Sequence, residues 1–521
     1  MRDALRTADE VTGGEGPRDA ATLLRFNERA GRRLVATTVL GSGMGFLDGT
    51  IANVALPHIG RDLHANLAEL QWVINGYTLA LASLILLGGS LGDRLGRKRA
   101  YGWGIAAFAA ASALAGLSPT IGILIAARMV QGVAAALMTP GSLALLQASF
   151  REKDRMRAIG AWTGTLGIAT ATGPALGGWL VGIDWRIAFW INVPIAALVL
   201  WLLRCAPESR DPEPEGKIDV PAALLAPLAL GSITWSLTAW ASDGISPVTV
   251  IPLLVGVASA VGFVAVERRA ASPMLPLHLF RNRTFSVVNV ATLFVYASLT
   301  GVLLFLALFL QVSGGWTPLA AGAATVPLSL VMLVLASRFG ALAARIGARR
   351  PMIAGEAVLC LGLMLLASAP NRPNYIADVL PGLLLMGLGL SMLVAPLTGT
   401  VLAAAPERYA GLASGINNAV SRTAGLIAVA GLPLVVGLSG DRYRNALPVA
   451  DAFRAAMWWC AGGVAIGLVV TAIGLRSEPD PSAGRPSPEE GADHTPDGAA
   501  DDDQQGEPGE KLVRGPVGPE G

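Results

Sequence analysis

The chain has 521 residues, of which 53% are hydrophobic and only 15% charged, with 39 Lys and Arg against 37 Asp and Glu. Soluble chains carry about 25% charged residues, whereas the mean hydropathy here is +0.55. The apolar residues gather in runs of about 20, the length a helix needs to cross ~30 Å of hydrocarbon, so a soluble globule, a nucleic-acid-binding domain and a secreted disulfide scaffold are excluded.

Residues 1–34 read as a polar N-tail with seven Arg, expected to be cytoplasmic. The first apolar run is too long for a signal-peptide core, so a retained first helix is expected. Apolar windows between charged or Pro/Gly punctuation then predict an all-α integral membrane protein of fourteen transmembrane helices. Their approximate limits are 35–57, 70–91, 100–118, 120–147, 158–181, 187–204 and 218–240, then 248–266, 285–311, 318–337, 351–369, 376–403, 411–438 and 453–475. With the N-terminus inside, 31 of the 39 basic residues fall in inside loops and tails, 6 fall outside, and Arg128 and Arg422 fall within spans. Dropping one helix would flip every later loop and spoil this sorting, so an even span count with both termini cytoplasmic is expected. Residues 476–521 carry 12 acidic and 4 basic side chains among Pro and Gly and have no apolar period. That composition predicts a disordered acidic tail.

Two segments align without gaps at an offset of 251 residues, Gly89-Ser-Leu-Gly92-Asp93-Arg94-Leu-Gly96-Arg97-Lys98-Arg99 and Gly340-Ala-Leu-Ala-Ala344-Arg345-Ile-Gly347-Ala-Arg349-Arg350. Each follows an apolar span and falls in an inside loop. Repeated halves are a feature of secondary transporters, which rock one half against the other. The repeat divides the body into a six-helix bundle (35–204), a central linker with two extra helices (205–284) and a second six-helix bundle (285–475). Asp93 becomes Ala344 in the second copy, so a latch that depends on the carboxylate works in one half only.

A charge inside a bilayer is costly unless paired or hydrated. Asp48 lies nine residues before Pro57, about 13.5 Å below the outer end of the first span, and Arg128 lies nine residues after Pro119, also about 13.5 Å deep at helical rise. Opposite charges at one depth in one bundle make a candidate pair. Such a pair either locks two helices or carries a proton; the guanidinium favours the ionised carboxylate and desolvation the neutral one. Gly41, Gly45 and Gly49 make a smooth stripe for helix packing, and Met44, one turn from Asp48, is a candidate cavity residue. Gly173-Pro174, with Gly167, Gly177 and Gly178, predicts a thin and bendable fifth span. Arg422 falls about 16 Å inside span thirteen and Glu356 about 7.5 Å inside span eleven, by helical rise. The two are candidates to pair, although Glu356 reads first as a residue near the membrane edge. Trp72 belongs with the Trp residues expected at span ends, and Trp235 lies deeper, where packing is the first expectation and a cavity-facing position the second. The three Cys and four His form no metal-spaced cluster, and no nucleophile elbow or phosphate loop is present, so no metal, no cofactor and no enzymatic activity are expected.

Several motifs lie in order along the spans: Phe46-Leu-Asp48-Gly-Thr-Ile-Ala-Asn53-Val-Ala-Leu-Pro57, the Gly89–Arg99 loop, Arg128-Met-Val-Gln131-Gly132, Gly173-Pro174-Ala-Leu-Gly177-Gly178, and Asp184-Trp-Arg186 with Asn192-Val-Pro194. By these motifs, over roughly residues 35 to 475, the chain resembles the fourteen-span drug/proton antiporter family of the major facilitator superfamily. The resemblance implies a monomeric exporter of small organic compounds, often lipophilic or cationic, in the cytoplasmic membrane and driven by the proton gradient. It implies proton coupling at Asp48 and Arg128, and a cytoplasmic gate at Gly89, Gly92, Asp93, Arg94, Gly96 and Arg97. It also implies an antiporter signature at Gly167, Gly173, Pro174, Gly177 and Gly178. Met44, Asn53, Gln131 and Arg422 are candidates for the substrate cavity. The alternatives are an uptake symporter of the same fold and a non-transporting membrane sensor.

Overall fold

The computed structural model describes residues 23–209, 219–270, 273–406 and 409–475. The expected acidic tail and the first part of the N-tail lie outside the described residues. The described residues form sixteen α-helices and no strand. They are α1 Arg29–Asp62, α2 Leu67–Leu95, α3 Arg97–Gly116, α4 Ile121–Ser149, α5 Glu152–Ile183, α6 Ile187–Trp190, α7 Asn192–Leu203 and α8 Val220–Asp243. The remainder are α9 Pro247–Arg269, α10 Arg283–Leu308, α11 Pro318–Ala323, α12 Val326–Ile346, α13 Arg349–Ala367, α14 Leu380–Ala403, α15 Ala410–Val435 and α16 Ala446–Gly474. Each predicted window falls on one helix or on a consecutive pair, α6 with α7 and α11 with α12.

Among the described residues, eleven helices are long and apolar enough to cross a membrane. The segments outside that set are α3, α5 and Ile187–Leu203. The first is rich in Ala and Gly, the second in Gly, Ala and Thr, and the third is short. Several helices outrun the apolar windows: α1 begins at Arg29 and α5 at Glu152, in charged sequence. Backbone hydrogen bonds continue a helix into water, whereas hydropathy reads only the part that needs hydrocarbon.

Capping sets several ends. Asn66 and Glu69 form a reciprocal capping box at the start of α2, and Thr120 caps α4, satisfying backbone donors the helix leaves free. The repeated loop shows the same device twice. Gly96 ends α2 at φ +104° and Gly347 ends α12 at φ +82°, a region that suits glycine because it lacks a Cβ.

Packing produces two buried clusters. One joins α1–α4 and α7 around Tyr101, Phe108 and Met138. The other joins α10, α13, α14 and α16 around Phe285, Phe305 and Phe453, and reaches Ile51, Leu56 and Ile59 of α1. Phe309 and Phe453 stack with centroids 4.2 Å apart. Helices α8 and α9 pack on each other, with α8 also against α2 and α15. Helix α9 presents Ile251, Leu254, Val257 and Val261 outward, as a lipid-facing surface requires.

Helices α1–α7 meet α10–α16 closely at the end of the bundle that carries Asp62 and Tyr443. There the Tyr443 hydroxyl donates to Ala65 O at 2.7 Å and Arg444 donates to Gly60 O and Ala65 O at 3.2 and 3.1 Å. Gln71 donates to the carbonyls of Val429 and Ala430, and Gln311 donates to Val54 O at 3.0 Å.

Candidate functional site

The deepest polar cluster is assembled from α1, α3, α4 and α7. Helix α4 reaches it because Gly132 lets two backbones touch: a Cβ there would lie 2.3 Å from the carbonyl oxygen of Tyr77 on α2. That approach brings Nε of Arg128 within 3.0 Å of Val73 O. The guanidinium lies 4.5 Å from the Tyr77 ring centroid and 5.8 Å from that of Phe189. Its Nη1 donates to Oδ2 of Asp48 in a salt bridge and to Oε1 of Gln131 at 2.9 Å. Asp48 is 2% and Arg128 1% exposed, so water does not share the pair.

The second carboxylate oxygen is held by amides. Nε2 of Gln131 and Nδ2 of Asn192 each lie 3.3 Å from Oδ1 of Asp48. Both amides also donate to Oγ of Ser112, at 2.7 and 3.3 Å. Asp48 therefore accepts from three side chains on two other helices. This saturation offsets the desolvation that would make a bare buried ion pair unfavourable. Gln131 stands at i+3 from Arg128, the spacing that places both on one face of a helix. Asn192 sits at the start of α7 and Ser112 on α3; neither was singled out for this cluster from the sequence. Asn192 carried a signal in the Asn192-Val-Pro194 motif, whereas an isolated Ser in an Ala-rich helix carried none.

A sequence model of the Major Facilitator Superfamily matches residues 38–430. The chain belongs to the Major Facilitator Superfamily. Its curated relatives include the multidrug resistance protein Stp of Mycobacterium tuberculosis, 38% identical over 412 residues, 77% of this chain and 76% of that protein. The tetracenomycin C resistance and export protein of Streptomyces glaucescens is 34% identical over 77% of this chain and 75% of its own length. The methylenomycin A resistance protein of Bacillus subtilis is 33% identical over 82% of this chain and 92% of its own length. Among solved structures, a bacterial homolog of the human lysosomal transporter Spinster, inward-facing and unoccupied, has a TM-score of 0.63 at 15% identity. The match covers 86% of this chain and 97% of that one, a likeness of fold.

The remaining candidate residues of this superfamily member separate by position. Met44 is wholly buried in the helical core beside Asp48 and lines no open space. Gly41 packs against Tyr101, whose Oη a Cβ there would meet at 1.9 Å, whereas Gly49 faces open space. Asn53 turns its Nδ2 back to Gly49 O at 3.1 Å. Arg422, on α15, places its guanidinium 6.0 Å from the ring of Phe46 on α1, between the two sets of helices.

Helix α5 runs from Glu152 to Ile183 with Pro174 inside it, and Gly167 lies on the same helix. Its glycines serve close packing. A Cβ at Gly173 would meet Thr50 Oγ1 at 2.6 Å, one at Gly177 would meet Ile51 at 2.7 Å, and one at Gly178 would meet Pro318 O at 2.3 Å. From the other side, a Cβ at Gly322 would lie 2.0 Å from Pro174 O. One helix thus seats both α1 and α11 on three bare backbones.

The loop motif binds its own bundle. Asp93 and Arg97 pair at 2.9 Å, one turn apart on either side of Gly96. Glu208 accepts from Lys98 N at 3.0 Å and approaches Arg99 at 3.7 Å, and Arg97 N donates to Ser209 O at 2.8 Å. Gly89 faces Pro140 and Gly92 faces Ala100. Arg94 lies in the last turn of α2.

One expectation is corrected: Glu356 does not pair with Arg422. It is fully buried between α13 and α16, its Oε1 accepting from Thr471 Oγ1 at 3.0 Å. The depth count reads distance along a helix but not the side a residue faces, and Gly467 leaves room for the carboxylate on the facing helix. Trp235 is 49% exposed, lies 5.8 Å from Trp72, centroid to centroid, and lines a cavity with it, the second of the two roles expected for it.

Proposed function

We propose that this chain exports small organic compounds, drugs or antibiotics among them, across the cytoplasmic membrane in exchange for protons, by alternating access. The carrying observation is the buried Asp48–Arg128 pair closed by Gln131, Asn192 and Ser112. Similarity to resistance and export proteins supports the cargo class. In this reading fourteen segments span the bilayer, as two six-helix bundles with α8 and α9 between them. Both termini are cytoplasmic, the Asp62–Tyr443 end is extracellular, and the monomer is the working unit.

The chemistry follows from valence. With Asp48 ionised, Arg128 is neutralised and three helices, α1, α4 and α7, are tied at one carboxylate. A proton on Asp48 removes the charge that holds Nη1, leaving the guanidinium with Val73 O and Gln131 Oε1. An uncompensated cation in low dielectric is unfavourable, so the helices shift toward an arrangement that hydrates or re-pairs it. That arrangement opens the other end of the bundle. Arg422, at the centre beside Phe46, and the faces of Asn53 and Gly49 lie where a cargo molecule would pass. The Asp93–Arg97 loop acts as the gate at the cytoplasmic end. The proton gradient is the energy source, with no cofactor. The glycine-seated contact of α5 with α11 is the closure that breaks as the external end opens.

The test is expression in an efflux-deficient bacterium against a compound panel, with and without a protonophore. Protonophore-sensitive resistance and extrusion are expected, and both are expected to vanish in Asp48→Asn. Full antiport by a folded, membrane-inserted Asp48→Asn protein would overturn the coupling role. Uptake of the panel compounds in vesicles, driven by the same gradient, would overturn the direction.

A further inference from the structure

Arg422 is a cation for which the chain supplies no counter-ion. It stands at the middle of α15, about 18 Å from the nearer helix end at helical rise. Only Asp48 and Glu356 lie comparably far into a helix; every other acid of the described residues sits in a loop or within six residues of a helix end. Asp48 is held by Arg128, and Glu356 is enclosed between α13 and α16. Among the described residues Arg422 makes no ion pair and no hydrogen bond. Yet it is only partly buried, and its nitrogens are open to water. A guanidinium at this depth is costly unless hydrated or paired, so Arg422 marks a hydrated point between the two sets of helices.

Opposite it, α1 presents the ring of Phe46, 39% exposed and 6.0 Å from the guanidinium carbon. At Gly49, three residues on, a Cβ would meet nothing within 4 Å. Positions three apart share a helix face, so an open aromatic ring and a bare backbone lie side by side near the cation. The guanidinium is a planar fork that matches a carboxylate with two parallel hydrogen bonds, and an apolar body that displaces water strengthens such a pair. A cationic ligand would instead meet a like charge, with Asp48 already neutralised by Arg128.

We propose that Arg422 and Phe46 select aromatic carboxylates as the cargo of this chain. The carboxylate pairs with Arg422, the ring packs on Phe46, and the rest of the molecule passes over Gly49. The selection rests on the transport reading and narrows it, because lipophilic cations, a class the motifs imply, are disfavoured at this point.

The test is equilibrium dialysis of 2-naphthoate, 2-naphthamide and 2-naphthylmethylammonium against the full chain in phosphatidylcholine nanodiscs, with empty discs subtracted. 2-Naphthoate is expected to bind saturably and about tenfold or more tighter than the uncharged amide, the scale of one hydrogen bond to a charged group. The ammonium is expected not to compete. Arg422→Gln is expected to bring the acid down to the affinity of the amide and to leave the amide unchanged. Arg422→Lys, which keeps the charge and loses the fork, is expected to fall between. Phe46→Leu is expected to weaken acid and amide alike. 2-Naphthoate is also expected to raise the thermal midpoint of wild type and not that of Arg422→Gln. Naphthoate binding that is absent, no tighter than naphthamide binding, or unchanged in Arg422→Gln overturns the proposal, even if proton-driven export of other compounds succeeds. The dialysis needs no gradient, so the expected binding pattern without proton-driven export overturns the transport reading alone.

Discussion

Replacing Arg128 by Met is the sharpest perturbation of the central cluster. Methionine keeps most of the side-chain volume and removes the charge, so Asp48 retains only the two amide donors of Gln131 and Asn192, each at 3.3 Å. Breaking a buried pair by removing one partner costs about 3–5 kcal/mol, because the survivor's charge stays buried. The two amide contacts offset part of this, and about 3 kcal/mol is expected for Arg128→Met. Changing Asp48 to Asn in the same chain removes the stranded charge, so the double variant is expected to recover about 2 kcal/mol, a coupling of the size seen for contacting residues. The assay is the unfolding midpoint of the nanodisc-reconstituted protein for wild type, both singles and the double. Equal destabilisation of Arg128→Met and the double would refute the reasoning, since it would mean the carboxylate carries no burden once the guanidinium is gone.

Gly322→Ala places a Cβ where Pro174 O stands 2.0 Å away; transport is expected to fall about tenfold or more at normal expression, with a cysteine placed at Ala65 becoming more accessible to an impermeant thiol reagent. Gly96→Ala forces a side chain into φ +104° and toward Glu208 at 2.7 Å, and is expected to destabilise by about 1–3 kcal/mol in thermal unfolding. Glu356→Gln keeps the Thr471 contact and removes a carboxyl that no cation partners among the described residues; its thermal midpoint is expected to equal or exceed that of wild type. A fall equal to that of Glu356→Ala would mean that the charge itself is needed there.

The helical architecture was legible because hydrocarbon imposes one rule on every span: about 20 residues without bare charge, with backbone groups bonded internally. The repeated loop was legible for the same kind of local reason. Gly96 and Gly347 are the same backbone stop, and a positive φ is a property of one residue and its neighbours. The meeting of Asp48 and Arg128 was half legible. Rise per residue gives depth, and two opposite charges at one depth leave few other partners. Their companions were not, because Ser112 and Asn192 enter the cluster by the rotation of α3 and α7, which no periodicity in those Ala- and Leu-rich helices specifies.

Glu356 and Trp235 mark the other limit. A position along a helix left the partners of both open, since the azimuth of a helix is decided by packing. Glu356 turned inward because Gly467 left space on α16, and Trp235 turned to Trp72 because α8 lies on α2. The order of residues alone determined that this is a membrane chain of many helices, and where along them its stops and its costly charges lie. Tertiary structure alone decided which charges touch, which glycines bear a neighbouring backbone, and which aromatic pair is left open. Depth is a sum of rises along one helix, whereas contact depends on the rotation of several helices about their axes, and that rotation is chosen by all of them together.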